Sequence, residues 1–210
     1  AGADTTRLRK SVEDVVKKAF RPELLNRIDD DSVTASVCAD LTQGGRLAAR
    51  RLVERGCNRI AVARGTLGHW TSAARLAGHV AGLEHLGQAP AEVFDGGYTY
   101  ADGARIAETL LAKGDALPDG FLCPNDLFAI GLMDRLRAVA GLRFPEDMKV
   151  VGFDDIPMAE WESNDLTTIR LLVQALMTPA TDVISRIVLE YYAVEEKIWI
   201  PCRLIERRSA

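Results

Sequence analysis

Residues 120–155 read GFLCPNDLFAIGLMDRLRAVAGLRFPEDMKVVGFDD. The stretch opens on a short apolar run, Gly120 to Cys123, and then meets Pro124. Leu127 to Ala140 repeats its apolar residues at helical spacing, and Gly141 sits where a helix stops. A second apolar run follows from Lys149 to Phe153. Two short apolar strands joined by a helix form a βαβ unit, which places the strands parallel and side by side.

The same alternation extends in both directions. Upstream lie strand Arg59 to Ala63, helix Thr71 to Leu86, strand Glu92 to Asp95 and helix Tyr100 to Lys113. Further upstream, strand Ser32 to Cys38 leads through Asp40-Leu-Thr-Gln-Gly-Gly into helix Arg46 to Arg55, closed by Gly56. Downstream come strand Leu166 to Arg170, a helix around Pro179 to Tyr191 and a final strand Lys197 to Ile205. Repeated β-α units predict an α/β fold, a doubly wound parallel sheet with helices on both faces. Separately, Leu8, Val12, Val15, Val16 and Phe20 share one face of a predicted helix over Thr5 to Phe20, stopped by Pro22.

Composition narrows the function classes. The 210 residues are 48% hydrophobic and 27% charged, enough for one good core or two small ones. A net charge of −4 gives no broad basic surface for nucleic acid. No apolar run approaches the ~20 residues a membrane span needs, and the N-terminus lacks a basic-then-apolar leader, so the expected location is cytoplasmic. Cys38, Cys57, Cys123 and Cys202 are scattered within or beside apolar segments, so buried thiols are expected rather than a metal site.

In an open parallel sheet, ligands bind beyond the carboxyl ends of the strands. Four such ends carry polar residues here: the loop from Gly65 leading to Arg75, Asp95-Gly-Gly-Tyr98, Pro124-Asn125-Asp126, and Asp154-Asp155. Arg75, Tyr98, Asn125 and Asp154 together suit a hydroxylated ligand. Aspartate accepts from hydroxyls, asparagine donates and accepts, arginine offers a planar fork, and an aromatic ring packs on a sugar face. Aspartate, asparagine and glycine are also common after strands simply as turn and helix-cap residues.

An enzyme is not expected. Neighbouring Asp154 and Asp155 should point to opposite sides, and His69, His79 and His85 read as surface or lining residues with no nucleophile motif beside them. Neither phosphate-cradling glycine motif occurs, and no cofactor or metal is expected.

The strings DLTQGGRLAARRLVERGCNRIAVARG, SAARLAGHVAGLEHLG, FLCPNDLFAIGLMDRLR, FPEDMKVVGFDDIPMAEWESNDLTTIR and IPCRLIERRSA resemble, in that order, the effector-binding domain of the lactose-repressor (LacI/GalR) family of transcription regulators. The resemblance runs through about 180 residues. It implies a periplasmic-binding-protein-like core, a sugar or similar effector in the cleft between two lobes, and a cytoplasmic homodimer that meets operator DNA through a helix-turn-helix not contained in this sequence. It further implies that Arg75, Asn125 and Asp154 contact effector while Tyr98 stacks on it. Leu171 departs from the family pattern, which often has a polar residue there. By this reading residues 31–210 are an effector domain, mainly its C-terminal lobe.

Residues 1–30 differ. Within them, FRPELLNRID is similar to a signature of Clp-type AAA+ unfoldases, in which the residue matching Arg27 serves as an arginine finger. The combination implies a truncated, recombined or engineered chain. Three functions compete: a ligand-sensing regulator domain; a structural or dimerisation half-domain using helix Thr71 to Leu86 and a cluster of Ile156, Met158 and Trp161; and an ATPase fragment.

Overall fold

A computed structural model describes residues 35–190 and 196–210. The predicted N-terminal helix, Arg27 and its motif, residues 32–34 and Tyr191 lie outside them. In chain order the elements are β1 (Ala35–Ala39), α1 (Leu41–Glu54), β2 (Ile60–Arg64), α2 (Trp70–His85), β3 (Glu92–Asp95), α3 (Tyr100–Ala112), β4 (Gly120–Leu122), α4 (Asp126–Ala140) and β5 (Lys149–Asp154). A 3-10 turn (Pro157–Glu160), β6 (Thr167–Arg170), α5 (Val173–Glu190), β7 (Glu196–Ile200) and β8 (Arg203–Ile205) follow.

The chain divides into two compact units. One contains Leu41–Leu171 and Cys202–Ala210. Its sheet has six strands in the order β3-β2-β4-β5-β6-β8, every neighbouring pair parallel except β6 with β8. Alternation along the strands serves both faces, as the doubly wound fold requires. Ala61 and Ala63 of β2 and Phe121 of β4 join Phe94, Ile106, Phe128, Leu132 and Leu136 in a core beneath α3 and α4. Phe121 stacks on Phe94 at 5.9 Å between ring centroids. On the opposite face α1 lies against β4, β5, β6 and β8 and α2 against β2, with Leu52 and Leu83 wholly buried.

The described part of the other unit comprises β1, α5 and β7. β1 and β7 pair in parallel, and Leu176, Ala180 and Val183 of α5 pack on Val37 with Ile198 and Ile200 alongside.

Three boundaries differ from expectation. The predicted final strand is two strands in different sheets, because Pro201 offers no N–H to a ladder and the Cys202 N–H is instead donated to Gln43 Oε1 at 3.0 Å. α1 begins at Leu41, so Gly44 and Gly45 are helix interior, not turn. A Cβ on Gly44 would sit 2.8 Å from Phe153 Cζ, and one on Gly45 would sit 2.7 Å from the Arg75 carbonyl oxygen. Glycine is there because the helix lies against its neighbours at backbone distance. α5 begins at Val173 and carries Pro179 inside it. Burial of its apolar stripe outweighs the hydrogen bond that proline forgoes.

Among the described residues no helix is long and apolar enough to cross a membrane, and no cluster of His, Cys, Asp and Glu could hold a metal ion. The four cysteines are buried, as their apolar settings suggested.

Candidate functional site

Parallel strands release their loops at one rim, and here four of those loops converge. The β4–α4 loop is shaped by Asn125, the N-cap of α4. Its Oδ1 accepts from the Phe128 N–H at 2.9 Å, and its Nδ2 donates to the Tyr98 carbonyl at 2.9 Å. The cap therefore also fastens the β3–α3 loop, whose Thr99 closes a capping box with Asp102. Tyr98 fits only because residue 65 is glycine: a Cβ there would lie 2.2 Å from Tyr98 Cζ. Gly65→Ala is expected to push the ring aside and lower stability by about 1–3 kcal/mol. Urea unfolding measures this, and near-ultraviolet circular dichroism follows the displaced tyrosine.

Arg75 projects from the second turn of α2 and is only 7% exposed. Its Nη1 donates to the Pro124 carbonyl at 2.5 Å and its Nη2 to Asp154 Oδ1 at 2.6 Å. The guanidinium carbon lies 4.2 Å from the Phe153 ring centroid and 6.0 Å from that of Tyr98. Burial raises the Asp154 carboxyl above the usual carboxylate range, and the Arg75 charge partly offsets this. Two buried polar atoms here, Arg75 Nε and the Tyr98 hydroxyl, have no hydrogen-bond partner. Buried donors without partners are uncommon, and at a ligand rim they mark unused binding capacity.

The structure thus brings Arg75, Tyr98, Asn125 and Asp154 to one rim. Arg75 and Asp154 form the charged centre, Tyr98 borders it, and Asn125 acts as a cap, the alternative that its position after a strand had left open. Asp154 and Asp155 diverge as expected: Asp155 turns away from Arg75 toward Arg170 and Arg207. Leu171 is half-buried.

His79 corrects an expectation. His69 and His85 are exposed, but His79 is 1% exposed, neither surface nor lining. It lies one helical turn below Arg75, edge-on to Phe153 at 6.4 Å, and neither ring nitrogen has a hydrogen-bond partner. Burial, aided by the Arg75 charge, lowers its pKa to about 3. Of the apolar cluster proposed for an interface, Ile156 and Met158 pack against the core while Trp161 remains 59% exposed.

Sequence reasoning missed Phe153 and Asp126. Asp126 is fully buried; its Oδ2 accepts from the Ile156 N–H at 2.9 Å and its Oδ1 from the Thr168 hydroxyl at 2.5 Å. Burial pushes its pKa up to about 7, and the nearby Asp154 and Asp155 charges add to the rise. An acidic residue opening a helix ordinarily signals an exposed first turn, so nothing local distinguished it.

Comparison with known proteins agrees with the fold. Residues 49–210 match the periplasmic binding protein-like domain, and the chain belongs to that family. It is similar to the HTH-type transcriptional repressor PurR of Vibrio atlanticus (36% identity, 60% of this chain, 38% of that protein). The PurR of Escherichia fergusonii is 32% identical over 84% of this chain and 52% of its own length. The chain thus spans about half or less of the length of these relatives. Among solved structures it resembles the Lac repressor bound to ONPG (TM-score 0.78, 26% identity, 88% of this chain and 55% of that one). A LacI family regulator from Enterococcus faecium with bound ribose gives a TM-score of 0.75 at 25% identity, over 87% of this chain and 67% of that one. The fold and the effector-domain character of these LacI-type relatives coincide with the resemblance read from the sequence.

Proposed function

We propose that this chain is the effector-sensing part of a LacI-type transcription regulator, binding a hydroxylated small molecule at Arg75, Tyr98, Asn125 and Asp154 and catalysing no reaction. The observation that carries this reading is the buried Arg75–Asp154 pair at the strand-end rim, with Arg75 Nε and the Tyr98 hydroxyl unsatisfied beside it. The pair is charge-balanced, which favours a neutral ligand over an ion. Solved relatives described as bound to ribose and to cellobiose support a sugar or polyol. In the whole regulator, effector binding would alter operator affinity through a homodimer in the cytoplasm; residues 31–210 would form the sensing domain, with residues 1–30 a separate segment.

A second reading, a dimerisation module without ligand, draws on the exposed Trp161, Tyr100 and Leu127. Thermal-shift screening of pentoses, hexoses, polyols and nucleosides separates the two. A ligand at a hundred times its dissociation constant stabilises by about 2.7 kcal/mol, and so raises Tm by about 5–10 °C for a chain of this size. The effector reading expects such a shift, abolished by Asp154→Ala. A cooperatively melting protein that responds to no compound would instead support the dimerisation module.

A further inference from the structure

Asp154 and Asp155 have φ of 107° and 58°, consecutive non-glycine residues in a region that L side chains rarely adopt. Such a backbone persists only where its surroundings hold it. Asp155 is held from beyond the rim: its carboxylate is 3% exposed and accepts from Arg170 Nε and, at 2.9 Å, from Arg207 Nη2. Arg207 is itself fixed, with Nη1 donating to the Leu166 carbonyl at 2.9 Å and its backbone N–H to Thr167 Oγ1 at 2.9 Å. Glu160, 3.2 Å from Arg207 and 3.9 Å from Arg170, balances the second positive charge. On the other flank Asp126 accepts the Ile156 N–H. None of these groups touches Arg75, yet together they fix the only backbone that joins β5 to the 3-10 turn.

We infer that Asp155, clamped by Arg170 and Arg207, is a positioning residue that holds Asp154 against Arg75 and thereby sets effector affinity without touching effector. Its consequence for affinity rests on the effector-site reading above; its action on the Arg75–Asp154 pair does not. An exposed aspartate in an ordinary strand conformation would have its carboxylate free to leave Arg75. The clamp converts a strained turn into a fixed acceptor.

The test is a double-mutant cycle of Arg75→Met and Asp154→Asn, by urea unfolding, repeated in an Asp155→Asn background. In the wild-type background the two substitutions should be coupled at least tenfold in the unfolding equilibrium constant. With Asp155→Asn the coupling should fall to less than twofold. A structural role alone would lower stability and leave the coupling unchanged, and that result overturns the proposal. Should Asp155→Asn fail to fold, Arg207→Lys, which keeps the charge but not the forked contact, carries the same cycle. Calorimetric titration with D-ribose adds the functional arm: tenfold or greater weakening by Asp155→Asn supports the proposal, and unchanged affinity overturns its functional half. Absence of ribose binding by the wild type counts against a pentose effector, and the cycle alone then decides the positioning role.

Discussion

His79→Leu should leave a protein that loses roughly 3 kcal/mol of stability between pH 4 and pH 6.5, whereas Asp126→Asn should gain about as much over the same range. The signs follow from the two buried groups. Asp126 has a folded pKa near 7 against an ordinary 3.8, so its stabilising contribution is complete below pH 3.8 and is lost as the pH rises toward 7. His79 is depressed to about 3 from 6.5, so its contribution is complete above pH 6.5 and is lost as the pH falls toward 3. Between pH 4 and 6.5 the slopes oppose each other, each about 1.4 kcal/mol per pH unit, and the wild type should be nearly flat with respect to this pair. Removing either group exposes the slope of the other. Leucine suits the test because neither His79 nitrogen has a partner to lose. Urea unfolding at a series of pH values measures all three proteins, with other carboxylates cancelling in the differences. Parallel profiles would show that neither group is held as its burial requires.

Gly131→Val should be the most damaging substitution of an apparently innocuous residue, costing about 3 kcal/mol or more. A Cβ at Gly131 of α4 would lie 2.0 Å from the Tyr100 carbonyl oxygen, and one at Gly103 of α3 would lie 2.0 Å from that of Phe128. The two helices touch through backbone at both points. Neither obstructing atom belongs to a movable side chain, so valine must separate the helices over Ile106, Phe128 and Leu132. Gly114→Asn provides the comparison: its φ of 66° suits asparagine and nothing lies within 4 Å, so the urea midpoint should hardly move. Equal effects at the two positions would refute the backbone-contact account.

These same glycines show where the sequence was legible and where it was not. Strand and helix identities from β2 to β6 followed from apolar period, because the central strands β2, β4 and β5 are buried along nearly their whole length and the helices cover them with one apolar face. Gly44 and Gly45 misled because a glycine pair signals a turn locally, while close packing against Phe153 and the Arg75 backbone is invisible until the partners are known. Residues 197–205 misled for a related reason: one β-rich run serves two sheets, and pairing partners more than 30 residues away decide which. At the site, the four rim residues were readable because a parallel sheet exports its loops to one edge. The roles of the supporting shell of His79, Asp126, Phe153, Asp155 and Arg207 were not, since they come from pairings far apart in sequence: Asp126 with Ile156, Asp155 with Arg207 and His79 with Phe153.

Ser209 and Ala210 act on the centre of the sheet. Ser209 Oγ accepts from the Thr167 N–H at 2.9 Å and donates to the Val150 carbonyl at 2.7 Å, while its own carbonyl accepts from the Val150 N–H at 2.9 Å. Arg51 donates to the Ala210 carbonyl at 2.8 Å. These partners lie more than 30 residues beyond β6 in the chain, so the edge of β6 is covered only when a segment distant in sequence returns to it. A pairing of such long range forms late in folding, and until it forms the unpaired N–H and C=O groups of β6 offer an open edge to any other strand.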